Sequence, residues 1–284
     1  MKRLIATSVL VLLSACGNNA GITFDSSVPS EQARLLEQDI NRLNEVQFVP
    51  ASSNDLNSMG LSELSGPALT QWLGQRVRII IGEDFPVSDR TYRVANPTPF
   101  TPVLFAEKRA FSPFAATTVA LNRGADLYLK ARNSNYSYFL DLDVGLTQIY
   151  SPRVGIMQIG EGLFTVQGFR EAPINSFGNS LARNTTLVHE ARHSDGNGDN
   201  VAFPHAQCPS WMDGYANEYA CEGYINGPYA IQTAMMNYFR LSCTQCGQLE
   251  LSGMDTSIAD YRSRLLSGAV FQDIRPEALA EIKK

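Results

Sequence analysis

Thr186-Leu187-Val188-His189-Glu190-Ala191-Arg192-His193-Ser194-Asp195-Gly196 is the stretch on which the reading of this chain turns. Two histidines stand at i and i+4, so on a helix both imidazoles project from one face. Glu190 follows the first, about 100° further round the helix, and lies beside that face. Thr186, Leu187 and Val188 precede the pair and give the helix an apolar back to bury. Asn179 or Ser180 can cap its start, and Gly196 stops it after Asp195. An HExxH helix is the arrangement in which two His bind Zn²⁺ and the Glu serves as general base in peptide hydrolysis. The chain has three histidines in all, and His205, the third, follows close behind.

Such a zinc site needs a third protein ligand and an open position for water. Three residues compete for that role. Glu218 stands in Asn217-Glu218-Tyr219-Ala220-Cys221-Glu222, where the chain resembles the gluzincin peptidases of the thermolysin type. In that family a downstream helix supplies a ligand Glu preceded by Asn, and an acid four residues later orients the first zinc-bound His. The resemblance implies that Glu218 is the third ligand and that Glu222 fixes the ring of His189, as partners of ligand histidines do. Cys221 and Glu222 stand where the motif has Ser and Asp, and the likeness covers these two short motifs alone. Asp199 is the rival from the metzincin template, which His189 to Asp199 also fits, although no convincing Met-turn accompanies it. The Gly196 to Asn200 run reads equally well as a helix stop and surface turn. His205 is the last candidate, either as ligand or as a catalytic donor to the oxyanion. The order of preference is Glu218, His205, Asp199.

The chemistry this predicts is hydrolysis of a peptide bond. Zinc acidifies its water and polarises the scissile carbonyl, and Glu190 carries the proton from water to the leaving amine. The tetrahedral oxyanion needs a further donor, for which Tyr219, Tyr224, Tyr229 and His205 are near enough in sequence.

Upstream, Lys2 and Arg3 precede a short apolar stretch, Leu4 to Leu13. It is too short to cross about 30 Å of hydrocarbon and matches a signal-peptide core. It ends in Leu13-Ser14-Ala15-Cys16, which resembles the lipobox of bacterial lipoproteins. That resemblance implies cleavage before Cys16 and acylation of its sulfur and new amino group. Anchoring of that kind is firm, since each buried CH₂ adds about 0.8 kcal/mol. Gly17, rather than Asp, follows the cysteine, which in that family favours the outer membrane over the inner one. The expected division is 1–15 signal peptide, 16–60 lipidated Cys16 with a tether and an N-terminal helix, and 61–284 catalytic domain. The membrane partner is the lipid anchor's bilayer, on its periplasmic side.

Of five cysteines, Cys208, Cys221, Cys243 and Cys246 remain beside Cys16. An even count in an oxidising compartment reads as two disulfides with three possible connectivities. A bridge between Cys208 and Cys221 would close a loop of about fourteen residues and is expected to hold Glu218 against the HExxH helix. Cys243 and Cys246 could pair locally. Structural zinc is disfavoured because Cys208 and Cys221 are too far apart to make a second knuckle.

The formal charge of −5 is spread along the chain and forms no basic stripe, so nucleic acid is excluded as a partner. Hydrophobic residues make up 44%, enough for a sizeable core. Residues 17–29 read as a tether, Ser30 opens an amphipathic helix through Val46, and 54–66 reads as a loop. A short helix is expected over Pro67 to Leu73 and a buried strand over Val77 to Ile81. Further strands are expected at 103–106, 136–144 and 153–167, the last as one strand or a hairpin. Residues 117–132 read as either helix or strand. Helices are expected at Tyr215 to Glu222 and Tyr229 to Leu241. The fold class is α+β: a zincin-like domain with a mixed sheet, the HExxH helix and a helical C-terminal part. Asp141 and Asp143 as a glycosidase pair, and the aromatic set with Trp72 and Trp211 as a sugar platform, are weaker readings than strand face and core. The rival to a peptidase is a non-catalytic envelope lipoprotein that uses the same fold for binding or assembly.

Overall fold

A computed structural model describes residues 20–82, 92–94, 117–118, 137–142, 145–150, 155–160, 162–165, 172–195, 203 and 205–272. Its first strand, β1 (Thr23–Phe24), runs parallel to β2 (Ile79–Gly82), with Ile22 and Val28 buried on either side of it. Residues 20–28 are therefore part of the folded body, a correction to the expected tether. Between the strands come α1 (Ser30–Arg42), a 3-10 turn at Leu43–Glu45, α2 (Ser53–Met59) and α3 (Gly66–Gly74). Leu35, Leu36 and Ile40 form the buried stripe of α1, at the helical spacing the sequence shows. The α2 helix lies where a loop was expected. Ser52 caps it by accepting the Asp55 amide, Gly60 closes it at φ 69°, and Met59 is its buried anchor.

Strands follow: β3 (Tyr92–Val94), β4 (Thr117–Thr118), β5 (Ser137–Leu142), β6 (Gly145–Tyr150) and β7 (Ile156–Ile159). β7 lies parallel to β2 and β4 antiparallel to β7, giving a sheet of order β1-β2-β7-β4. A second, antiparallel sheet has the order β3-β5-β6. The expected strand at 136–144 is β5, which carries Asp141. Only the first half of 153–167 is a strand, and α4 (Gly162–Thr165) follows it instead of a second arm. The strand expected at 103–106, most of 117–132, Asp143, Gly196 and Asp199 lie outside the described residues.

The HExxH helix is α5 (Phe177–Arg192), capped by Ser176, which accepts the Asn179 amide, and tightened to 3-10 geometry at His193–Asp195. Glu250 adds a second brace, accepting the Gly178 amide at 2.9 Å so closely that a Cβ at Gly178 would meet its carboxylate at 2.6 Å. After α5 come β8 (Glu222–Tyr224), α6 (Pro228–Ser242), α7 (Gln248–Ser263) and β9 (Leu265–Val270), with β8 and β9 parallel. The helix expected over Tyr215 to Glu222 is absent. Gly214 and Asn217 take left-handed φ values of 81° and 63°, which break helical propagation, and Cys208 pairs its backbone with Asn217 and Glu218. Neither α7 nor β9 was expected; Met254 is the buried residue of α7, too little to leave a readable stripe.

The fold is thus helices with small sheets, of the α+β class. One cluster of buried side chains runs from Ile22 to Met254 and draws on residues before and after position 60. Trp72 belongs to it, its indole donating to the Met59 carbonyl at 2.9 Å, whereas Trp211 is 80% exposed. α5 lies between α1 and α6, and the residues from Gly178 to Arg192 are buried on every side. Several of its buried polar groups are matched by other segments. Arg183 makes a bidentate pair with buried Asp39 at 2.6 and 3.0 Å, and Asn184 donates to the Asp39 carbonyl at 2.7 Å. Arg192 reaches the carbonyls of Asn226 and Ser58, and with Arg76 it flanks the Asp195 carboxylate at 2.8 Å. A helix so enclosed holds its side chains in fixed positions, which is what a site at its end requires.

Candidate metal centre

His189 and His193 leave the C-terminal end of α5 on one face, as their spacing demands, with ring centroids 5.1 Å apart. His193 caps the helix and is the first residue of the 3-10 turn. Its Nδ1 lies 2.8 Å from the carbonyl oxygen of Phe203. A carbonyl only accepts, so Nδ1 carries a proton, and Nε2 is the nitrogen that ligates when the ring is neutral. Phe203 presents that carbonyl from a left-handed backbone, φ 43°, and its ring is held by the Arg192 guanidinium at 4.7 Å and by Tyr224 at 5.5 Å.

Two residues on, the returning chain delivers His205. Ala206 and Cys221 bridge antiparallel, with amide-to-carbonyl distances of 2.7 and 3.1 Å, and the Cys208–Cys221 disulfide locks the same crossing. His205 Nε2 then stands 3.4 Å from His189 Nε2. The ligand atoms of His189, His193 and His205 all lie within 4.8 Å of one another, close enough to hold a metal ion. Two nitrogens bound tetrahedrally at about 2.0–2.1 Å stand about 3.3 Å apart, so the spacing is that of a bound pair.

The electrostatics suit a cation. Burial holds His189 well below the usual imidazole pKa, aided by its neighbours His193 and His205. Burial, then the Arg264 charge, brings His205 down to about 4. Both rings are therefore neutral near pH 7, the state that ligates metal. Glu190 brings Oε2 to 4.0 Å from His193 Nε2, beside the ring nitrogens that face the site.

Tyr229, at the start of α6, forms the opposite wall, its ring 4.4 Å from His189 and 5.0 Å from His205. Burial pushes its phenol above the ordinary value, with Glu190 adding to the rise, so its hydroxyl keeps its proton. Arg264 donates to the Tyr229 oxygen and, at 2.7 Å, to Asp260. Of the tyrosines expected near the site, Tyr229 alone faces these rings: Tyr219 is 68% exposed, and Tyr224 packs on Phe203. Arg264 was not foreseen. Asp260 and Arg264 stand four residues apart, a spacing common to ion pairs on helix surfaces, and nothing local signals that the guanidinium turns toward His205.

Glu218 does not join the three imidazoles. It is exposed in the turn after Tyr215, its backbone carbonyl accepting the Cys208 amide at 2.8 Å. Glu222 is fully buried, but its carboxylate accepts the Tyr224 amide at 3.0 Å and faces the Tyr229 amide at the start of α6. The polar neighbour of His189 is Gln232, one turn along α6 from Tyr229. The gluzincin-like pattern is thus incomplete where its third residue was expected, because the segment carrying Glu218 is a disulfide-closed turn and not a helix. The Cys208–Cys221 bridge was expected to hold Glu218 against α5; it holds His205 there instead. Cys243 and Cys246 form the second disulfide. Among the described residues no helix is long and apolar enough to cross a membrane. Comparison with protein-family models, curated proteins and solved structures finds no match for this chain.

Proposed function

We propose that this chain is a zinc-dependent peptide-bond hydrolase with a zincin-like site, anchored in the bacterial envelope through acylated Cys16 and facing the periplasm. The observation that carries the reading is the convergence of three imidazoles beside Glu190. Imidazole donors suit zinc among the available divalent ions, and three protein nitrogens leave its fourth position open. When bound, zinc supplies Lewis acidity to a water and to a substrate carbonyl. His189, His193 and His205 hold it. Glu190 takes a proton from the attacking water as the new C–O bond forms at the carbonyl carbon. It delivers that proton to the amide nitrogen as the C–N bond breaks, leaving a carboxylic acid and an amine. Outer-membrane anchoring rests on the Lys2 to Gly17 pattern, and protein or peptide chains at that surface are the substrates.

The test is metal analysis of the purified mature chain together with hydrolysis of labelled casein. One zinc per chain is expected, with activity lost on chelation. Glu190→Gln should keep the metal and lose hydrolysis by at least about 10²-fold. A variant that still cleaves at the wild-type rate ends this reading.

A further inference from the structure

We infer that Tyr229 donates a hydrogen bond to the carbonyl oxygen of the scissile bond, and that Arg264, Asp260 and Tyr215 position it to do so. The inference deepens the hydrolase reading and rests on it. The hydrogen-bond directions carry it. A guanidinium only donates, so the Tyr229 oxygen accepts from Arg264 and its own proton turns elsewhere. Around the rest of that ring lie His189, His205 and the charge of Glu190, which is the site itself. Accepting from a cation also polarises the phenol O–H, making it a stronger donor.

Tyr215, Asp260 and the two terminal nitrogens of Arg264 are spent within the cluster, while Arg264 Nε has no hydrogen-bond partner among the described residues. Tyr215 accepts from Arg264 and passes its own proton to Asp260 at 2.8 Å. Asp260 holds the same guanidinium at 2.7 Å, and the Arg264 group stacks 4.0 Å over the Tyr215 ring. The Arg264 backbone is pinned as well, its carbonyl accepting the Glu222 amide at 2.8 Å where β9 begins beside β8. This network occupies a lone pair of the Tyr229 oxygen and leaves its proton to the other neighbours of that ring, His189, His205 and Glu190, which border the place where negative charge develops during hydrolysis. A donor fixed in advance there costs no reorganisation at the moment of reaction. Tyr229 is the catalytic residue of this arm, and Arg264, Asp260 and Tyr215 are positioning residues that act through it.

The experiment uses the zinc-loaded mature chain, with casein hydrolysis and acetohydroxamate binding as separate readouts. Tyr229→Phe removes one oxygen and leaves the ring contacts. Its zinc content and the visible spectrum of its cobalt-loaded form should match the wild type. Its kcat should fall by about 10²-fold with KM within about threefold. Acetohydroxamate, which offers oxygens to the same position without being cleaved, should bind about tenfold more weakly, the equivalent of about 1.4 kcal/mol. Arg264→Met should lower kcat in the wild-type background and have little further effect in Tyr229→Phe, because it acts through that hydroxyl. Tyr219→Phe is the exposed control and should leave every value unchanged.

Wild-type kcat and hydroxamate affinity in Tyr229→Phe would overturn the inference while leaving the Glu190 mechanism intact. An equal Arg264→Met effect in both backgrounds would overturn the positioning role. No hydrolysis by the zinc-loaded wild type would overturn the hydrolase reading and this inference with it.

Discussion

His189 and His205 face each other Nε2 to Nε2 at 3.4 Å although one ends a buried helix and the other sits in an irregular returning chain. Two neutral imidazoles can share one proton at that distance or ligate one cation between them. The third ring, His193, has its outer nitrogen committed to the Phe203 carbonyl and its inner one turned to the same place. Three inward ring nitrogens beside the Glu190 carboxylate suit a cation as their occupant.

His205→Ala should therefore weaken zinc binding by more than about a hundredfold, a larger loss than removal of an outer partner causes. Glu218→Gln should bind zinc as the wild type does. Competition with a chromophoric chelator measures both. Weakened binding in Glu218→Gln would return that residue to the ligand set.

Removing the Cys208–Cys221 disulfide by paired Ser substitutions opens a loop with a sequence separation of 13. Chain entropy puts the loss near 3 kcal/mol, seen as a lower urea midpoint. Metal affinity should drop too, because the bridge locks the Ala206–Cys221 pairing that delivers His205. An unchanged zinc affinity would show that the pairing suffices alone.

Glu222 gives a pH signature. Burial pushes its carboxyl up from 4.5 to about 8, against backbone amides that favour the charged form. A group raised on folding contributes its stability fully below the unfolded value and loses it as pH rises through the folded one. The wild type should thus lose this contribution as pH climbs from 4.5 to about 8, and Glu222→Gln should remove that slope. His205 runs oppositely: its contribution is present above 6.5 and is lost as pH falls toward about 4. Subtracting the two urea-unfolding profiles isolates Glu222. Parallel profiles from pH 4 to 9 would mean its carboxyl titrates normally.

Arg183 and Asp39 are enclosed almost completely, at 1% and 0% side-chain exposure. Arg183→Met strands a buried carboxylate and should cost about 3–5 kcal/mol. Adding Asp39→Leu should recover most of that loss, since a well-packed apolar pair replaces a desolvated ionic one. Denaturant melts of the single and double variants decide it. A double variant as unstable as the single would assign the loss to packing alone.

The elements legible in the sequence were those with a dense local pattern. α1, α3, α6 and the HExxH helix carry apolar residues at helical spacing, and β2 is a run of isoleucines. What escaped had no such pattern. α2 depends on the Ser52 cap and the left-handed Gly60, and α7 buries Met254 alone. The expected helix at Tyr215 to Glu222 had helix-compatible residues, yet two positive φ values and a disulfide prevailed over propensity. Asp39 and Arg183 carry no local mark of burial, because each is neutralised by a residue on another helix.

By itself the sequence determined that His189 and His193 share a helix face with Glu190 beside it, because helix geometry is a matter of residues four apart. It also supplied His205, Glu218 and Asp199 as rivals for the third position without the means to choose. Tertiary structure brings His205, and not Glu218, close to that pair, through a left-handed Phe203, a backbone bridge and a disulfide. The same long-range packing brought Tyr229 and Arg264 to the site from separate segments. Convergence of that kind depends on which distant surfaces bury each other, and no local spacing encodes it.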